Sequence, residues 1–424
     1  FDGKYLASFT VRRDGFSRLA GDNQYGIFPA ASVGWLAHQE DFMASTKSWL
    51  SFLKVRASWG KNGNIGIGTS NAVGLYEVQG AYGPQQAYNG VVGFLNTPAN
   101  PNLKWEKTNT VEAAVEVGLF DNRVTGQVAV YNRNTTDKLA FIQVPISSGV
   151  SSIRTNNGSM RNRGVELEAN YKILTEGAVK WQVGANAAWN KNIVTKLPFN
   201  GNENNRQGGR QVYDPATKSL IWVQGLQEGS EPGEIYGFVS EGIIRNAADL
   251  AAYNKIDLAA GQAWFGASAG KKVASQVLIN GKNLNAGQST FIATQLGDMK
   301  WKDVDGNDTI DTRDMVSLGR TLPRWQGGFN TSVSYKGFNL FARIDFALGH
   351  TQMDFQQMWT LGSFQGEFNA TEAIKDTWTP ENVNAPYPRY TWADQLNSKN
   401  FDRPSSMFLV NSGYLAFREV SLSY

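Results

Sequence analysis

The feature that most constrains this chain is a two-residue alternation of apolar and polar side chains, sustained for about ten residues at a time. In "TVEAAVEVGL", Val111, Ala113, Val115, Val117 and Leu119 share one face, and Thr110, Glu112 and Glu116 share the other. "FLKVRASW" sets Leu53, Val55, Ala57 and Trp59 against Lys54, Arg56 and Ser58. "GVELEANYK", "VKWQVGANAAW" and "FNLFARIDF" repeat the pattern, with Glu166, Glu168, Lys172, Lys180, Arg343 and Asp345 on the polar side. Only extended backbone places residues i and i+2 on one face. Ten residues at ~3.4 Å rise, tilted ~40°, reach roughly 25 Å, the apolar height of a transmembrane barrel. Strands of a soluble sandwich are more often about five or six residues long.

The connections sharpen this reading. Tight turns are expected at "LFDNR" (119–123), "LTEGA" (174–178) and "YKGFN" (335–339), and a moderately short one at 38–49. Long connections are expected at 61–107, 134–162, 193–323 and 349–413. Short turns at one end and long loops at the other are the arrangement of an outer-membrane barrel. The expected strands are 4–13, 25–37, 50–60, 108–119, 123–133, 163–173, 179–193, 325–335, 338–348 and 414–424. Short helices are expected near Asn246 ("NAADLAAYN") and Thr371 ("TEAIKDTW"). The fold class is therefore all-β, an antiparallel transmembrane barrel with long outer loops, and no gap reads as a domain linker.

Composition removes other classes. A net charge of +3 without a Lys/Arg block argues against nucleic acid. No run of eighteen apolar residues could form a spanning helix. Cysteine is absent and only His38 and His350 are present, so thiolate and histidine-rich zinc sites are excluded. No Gly-x-Ser-x-Gly elbow, Walker loop or organic-cofactor motif occurs. "GNIGIGTSN" (63–71) lacks the helix and lysine of a nucleotide loop and reads as a surface loop. The pairs Glu112/Glu116 and Glu166/Glu168 could be compared with glycosidase carboxylates. Their regular spacing along strands fits a wetted wall better, and no enzymatic activity is expected.

Three residue sets carry functional expectations. Lys54, Arg56, Glu112, Glu116, Glu166, Glu168, Lys172, Lys180, Arg343 and Asp345 would form a mixed-charge lumen wall. Trp222, Trp264, Trp359, Trp378, Tyr390 and Trp392 lie in the long loops, where flat rings could stack on a sugar or peptide, whereas Trp181 and Trp189 belong to the lipid-facing side. Finally, "KDVDGNDTIDTRD" (302–314) places Asp303, Asp305, Asn307, Thr309, Asp311 and Asp314 at positions 1, 3, 5, 7, 9 and 12 of a calcium-type loop, with Ile310 at the apolar eighth. Asp308 stands at the sixth position, where glycine is usual, and Asp rather than Glu at the twelfth. No flanking helices are expected, so the alternatives are a structural Ca2+ staple on an outer loop and an acidic, solvated turn.

Several segments together resemble the SusC-like (RagA-like) branch of TonB-dependent outer-membrane transporters. They are "YLASFTVRRDGFSRL" (5–19), "YGIFPAASVGW" (25–35), "NPNLKWEKT" (100–108), "GLFDNRVTGQVAVY" (118–131), "NGSMRNRGVELE" (157–168), "EIYGFVSEGI" (234–243), "DVDGNDTID" (303–311), "GFNTSVSYKGFNLFARIDF" (328–346) and "YLAFREVSLSY" (414–424). The resemblance implies a barrel of about 22 strands around an N-terminal plug. The chain would then supply about the eleventh to the twentieth strand over residues 1–424, without the plug, the TonB box or a final hairpin. A closed barrel of ten strands is the alternative. The resemblance further implies import of oligosaccharides or oligopeptides across the outer membrane of a Gram-negative bacterium. Its implied partners are the TonB complex, outer-membrane lipid and a SusD-like surface lipoprotein. A passive porin or structural barrel, and a soluble carbohydrate-binding β protein, are the rival readings.

Overall fold

The computed structural model describes residues 2–66, 73–88, 91–145, 147, 150, 152–261, 278–279, 282–283, 294–362, 369–391, 394 and 399–424. Ten strands form one antiparallel sheet in which every neighbour in space is the next wall strand in sequence. They are β1 (Tyr5–Gly15), β2 (Tyr25–Leu36), β3 (Leu50–Asn64), β4 (Glu106–Leu119), β5 (Val124–Gln143), β6 (Ser152–Leu174), β7 (Val179–Lys196), β8 (Trp325–Tyr335), β9 (Phe338–Leu348) and β10 (Tyr414–Ser423). Strands β1 and β10 are the two ends of the sheet and do not pair with each other among the described residues, so these ten strands form an open wall rather than a closed ring.

The register keeps the two faces separate. Leu53, Val55, Ala57 and Trp59 lie opposite Val117, Val115, Ala113 and Val111, so one apolar face runs across β3 and β4. It continues through Val128 opposite Leu167, Ala185 opposite Phe329, and Phe329 opposite Ile344. Large apolar side chains on this face stay exposed, including Val111, Leu167, Trp181, Phe329 and Leu340. A sheet that turns its apolar side outward and its charges inward inverts the usual soluble arrangement and suits a lipid surround. At β10 a bulge between Arg343 and Ile344 of the β9 register brings Phe417 opposite Ile344 while Val420 stays opposite Ala342. The apolar face therefore survives the irregularity, as bulges allow by re-aiming side chains.

The tight turns fall where expected. Lys336 and Gly337 both have positive φ (45° and 91°), the two-residue hairpin geometry whose twist matches the flanking strands. Phe120, Asp121 and Asn122 also have positive φ, and the Ser51 hydroxyl accepts from the Asp121 amide at 2.6 Å. Between β2 and β3 two 3-10 turns surround Glu40, which accepts from Tyr5 Oη (2.7 Å), Trp35 Nε1 (3.0 Å) and Lys4 Nζ (3.1 Å).

One expected long connection, 134–162, is corrected. Strands β5 and β6 continue past the rest of the sheet, pairing as far as Gln143 opposite Ser152. The loop before β4 packs on this extension through a cluster of Leu19, Phe28, Ile65, Val73, Val78, Leu103 and Trp105, joined by Leu139. A Cβ at Gly26 or Gly63 would collide with the Phe28 ring, so glycine at both positions lets that ring lie against the wall. The helix expected near Asn246 is α1 (Ala247–Tyr253), capped by the Asn246 side chain, which accepts from the Asp249 amide at 2.9 Å. The one expected near Thr371 is a 3-10 turn, Glu372–Asp376. A second helix, α2 (Phe355–Gly362), carries no clear signal in its sequence.

Candidate functional site

The inner face brings part of the expected charged wall together. Lys54 lies opposite Glu116 in register, 3.3 Å away, and Arg56 Nε reaches Glu116 at 2.9 Å. The Arg56 guanidinium also pairs with Glu112. Arg343 lies 3.7 Å from Asp345, which is shared with Arg418 at 3.1 Å. Arg418 escapes strict alternation because the bulge in β10 turns it inward. Glu166, Glu168, Lys172 and Lys180 share the face and are exposed, but none forms an ion pair among the described residues. Glu168 accepts from Asn170 at 3.0 Å. Partly exposed pairs contribute ~0–1 kcal/mol each, so this arrangement determines wetting and local potential more than stability.

Above the wall, the described residues of the connections 197–324 and 349–413 fold into one module. Phe238, Ile310, Trp301 and Met315 are buried to 1% exposure or less, and Ile243 and Met299 are buried beside them. Against this core sits Arg403, fully buried, with its guanidinium 5.1 Å from the Phe238 ring and 4.6 Å from Trp301. It donates to Asp257 Oδ2 (2.9 Å) and to the Lys399 carbonyl (2.8 Å). Asp394 accepts the amides of Asn400, Phe401 and Asp402, each at 2.9 Å. Buried Lys399 pairs with Asp402 at 2.9 Å, although burial pulls its pKa below the ordinary lysine value. Two loops more than a hundred residues apart are thus locked by buried charge. In sequence, "KNFDRPS" (399–405) looks like an exposed polar loop, and nothing local signals its burial.

The acidic turn lies on the edge of this module. Carboxylate oxygens of Asp303, Asp305 and Asp314 lie within 4.8 Å of one another. Asp314 is fully buried and accepts from the amides of Val304 (2.8 Å) and Asp311 (2.7 Å). Burial, with Asp305 and Asp311 adding to it, pushes its pKa up to about 6 despite those amides. Asp308 adopts φ +62°, the left-handed turn expected at that position. Ile310 is buried, and Thr309–Ile310 pairs in parallel with Ile256–Asp257. The other expected ligands turn elsewhere. Asp311 pairs with Arg313 at 2.7 Å, and Asn307 Oδ1 accepts from the Thr309 amide at 2.8 Å. Lys255 is the residue sequence reasoning missed, because it comes from 48 positions upstream. It donates to Asp303 at 2.9 Å and to Asp308. Burial opposes ionisation of Asp303, yet Lys255 and the amides of Asp308 and Gly306 hold its pKa below the usual range. Three converging carboxylates, one in a dry setting, suit a hard divalent cation.

The loop aromatics separate. Trp359 is 51% exposed on α2. Trp222 is partly covered by Arg206, whose guanidinium stacks 3.3 Å from the ring centre, and Tyr390 is half-buried. Trp378 is a correction: at 9% exposure it belongs to the module's core, where the hydrophobic gain of burying an indole outweighs display at the surface. Trp264 and Trp392 lie outside the described residues.

A family model described as "TonB dependent receptor-like, beta-barrel" matches residues 1–394. TonB-dependent receptor P3 of Formosa agariphila is 28% identical over 100% of this chain and 37% of its own length. TonB-dependent receptor SusC of Bacteroides thetaiotaomicron is 36% identical over 46% of this chain and 20% of its own length. Solved structures titled as the RagAB peptide transporter, and as the RagAB peptide importer in an open-open state, cover 100% of this chain. Their TM-scores are 0.66 and 0.68 at 22% identity, with 39% and 38% of those chains covered, a likeness of fold. The chain spans less than two fifths of the length of the curated relatives it matches. The relatives are named as receptors rather than as enzymes.

Proposed function

The chain belongs to the TonB-dependent receptor-like β-barrel family, and from that membership we propose that it forms the second half of the barrel of an active outer-membrane importer. The whole protein would carry oligosaccharides or oligopeptides across the outer membrane of a Gram-negative bacterium. A plug driven by TonB would supply the energy, and a SusD-like lipoprotein would cover the outer loops. The observation that carries the reading is the inverted wall: ten antiparallel strands with exposed apolar residues outside and an ion-pair ladder inside. A polar solute moving past a plug needs such a wet, mixed-charge surface, and lipid needs the other.

This reading divides the labour between the two regions. The wall fixes the passage, and the folded outer module presents chemistry at its mouth. Exposed Trp359 and half-buried Tyr390 would be the aromatic side chains that meet a sugar face or peptide side chain, a role their exposure supports. The test is purification of the full-length protein from detergent-solubilised outer membranes, followed by uptake assays with labelled oligosaccharides and oligopeptides. Copurification of a lipoprotein with uptake abolished by loss of TonB supports the reading. Uptake that persists without TonB would make the protein a passive porin.

The acidic turn is proposed as a structural calcium site held by Asp303, Asp305 and Asp314, with Asn307, Thr309 and Asp311 drawn in when the ion displaces Lys255. Its support is the convergence of three carboxylates, one of them fully buried. Elemental analysis and melts with and without chelator test it. Absence of calcium together with an unchanged melt would leave an acidic turn closed by Lys255.

A further inference from the structure

We infer that Arg161, Arg163 and Lys191, on the outward face of the wall, seat the net-anionic, phosphate-bearing headgroup of an outer-leaflet lipid. The inference rests on the membrane reading above and adds a ligand class to its outer surface. The register supplies a ruler. From Tyr335 at the inner turn to Trp325, β8 rises eleven residues. At ~3.4 Å per residue and ~40° tilt this is about 26 Å, the height of the apolar band. Trp325 lies directly opposite Trp189, so these rings mark the outer boundary, and Tyr335 opposite Phe338 marks the inner one.

The cations begin immediately above that boundary. Val165 lies opposite Trp189, Arg163 opposite Lys191, and Arg161 opposite Ile193. All share the outward side with Val165 and Leu167. Gly164, between them, faces inward, where a Cβ would meet the Tyr131 ring. Like charges directly opposite on neighbouring strands repel, and the cross-strand neighbours on β5 are Asn132 and Asn134 rather than acids. Arg161 and Arg163 form no hydrogen bond or ion pair among the described residues, and Arg161 Nε is shielded from solvent without a partner. Lys191 reaches Glu231 at 3.1 Å, but that carboxylate also serves Arg320 at 2.7 Å and Arg324 at 2.5 Å. Glu234 is a second carboxylate near Arg320, Arg324 and Lys191, whereas Arg161 and Arg163 have no acidic cross-strand neighbour, so positive charge is left over at this level.

Below the girdle the same face opens into an apolar hollow of about 460 Å³, lined among others by Val128, Leu167, Ala169, Ala185, Ala187 and Phe329. The hollow exists because small residues stand between large ones on adjacent strands. A cationic seat above an apolar trough has the two-part chemistry of a lipid: guanidinium forks grip phosphate, and acyl chains fill the trough.

The experiment is native mass spectrometry of the full-length protein in detergent, titrated with phosphatidylglycerol or with phosphatidylcholine of the same acyl chains. Wild type should retain phosphatidylglycerol about tenfold more tightly than phosphatidylcholine, and Arg161→Gln/Arg163→Gln should remove that preference. Ala187→Trp, which fills the trough, should weaken retention of both lipids. The inward-facing Lys180→Gln should change neither. Equal phosphatidylglycerol retention by wild type and the double-arginine variant, with both still showing heat-modifiable barrel mobility, would overturn the lipid seat alone. Inorganic phosphate bound as tightly as phosphatidylglycerol would also overturn it, by showing a free-anion site. Loss of barrel mobility in wild type itself would instead sink the membrane reading.

Discussion

The wall and the outer module are stabilised by opposite placements of the same side-chain types. In the wall, Phe329 is 48% exposed while charged side chains line the other face. In the module, Phe238 is fully buried and so is the charged Arg403 beside it. The wall follows a lipid solvent on one side and water on the other. The module rises from the rim of the wall and builds an interior of its own. The difference teaches that one chain can satisfy two solvents, provided each segment obeys the rule of its own surroundings.

The largest expected effect breaks the module and spares the wall. Arg403→Ala removes both guanidinium bonds to buried Asp257, and breaking such a pair costs about 3–5 kcal/mol. Limited proteolysis should then cut the outer loops while heat-modifiable barrel mobility persists; simultaneous loss of both would erase the distinction. The mirror experiment is Phe329→Arg, near mid-height on the lipid face, which should cost about 2–4 kcal/mol in folding titrations and leave loop proteolysis unchanged.

A third prediction concerns pH. Without metal, Asp314 ionises in the folded protein only near about 6, against 3.8 in the unfolded chain. The folded state therefore holds this proton more tightly. The resulting stability is fully present below pH 4 and is lost as pH rises from about 4 through 6, by about 2–3 kcal/mol. Chelator-treated protein should show loop protection in hydrogen exchange falling across that window. Added calcium should restore it above pH 6 and lose affinity below. Asp314→Asn should flatten the chelator-treated profile. The smallest effect is expected for Glu116→Gln in the inner ladder, below about 1 kcal/mol, with its readout in the salt dependence of solute passage.

The wall was legible because its two faces meet different media, so the pleat is printed in the sequence as alternation. That print fades where the medium becomes the same on both sides. In "NRNTTDKLAF" and "SIRTNNGSMRNR" both faces of β5 and β6 are polar or mixed, and alternation vanishes although pairing continues to Gln143 and Ser152. The acidic turn was legible from spacing, and three of its six expected ligands do converge. Lys255 and Arg403 were not legible, because each acts on carboxylates far away in sequence and no local pattern encodes the meeting. Burial of Trp378 was hidden for a related reason, since a lone indole in a long loop reads the same whether it faces water or packs inward.

The extended β5–β6 pair has a consequence for whatever approaches the mouth from outside. From Asn132, in register with Trp59 through Val111 and with Lys191 through Arg163, β5 continues to Gln143, roughly 25–30 Å further at the usual rise and tilt. It is braced there by Leu139 against the neighbouring cluster and by Arg154, which pairs with Glu77 at 3.1 Å and stacks on Phe141. A surface lipoprotein of the kind proposed above would therefore meet this braced hairpin before it reached the rest of the wall.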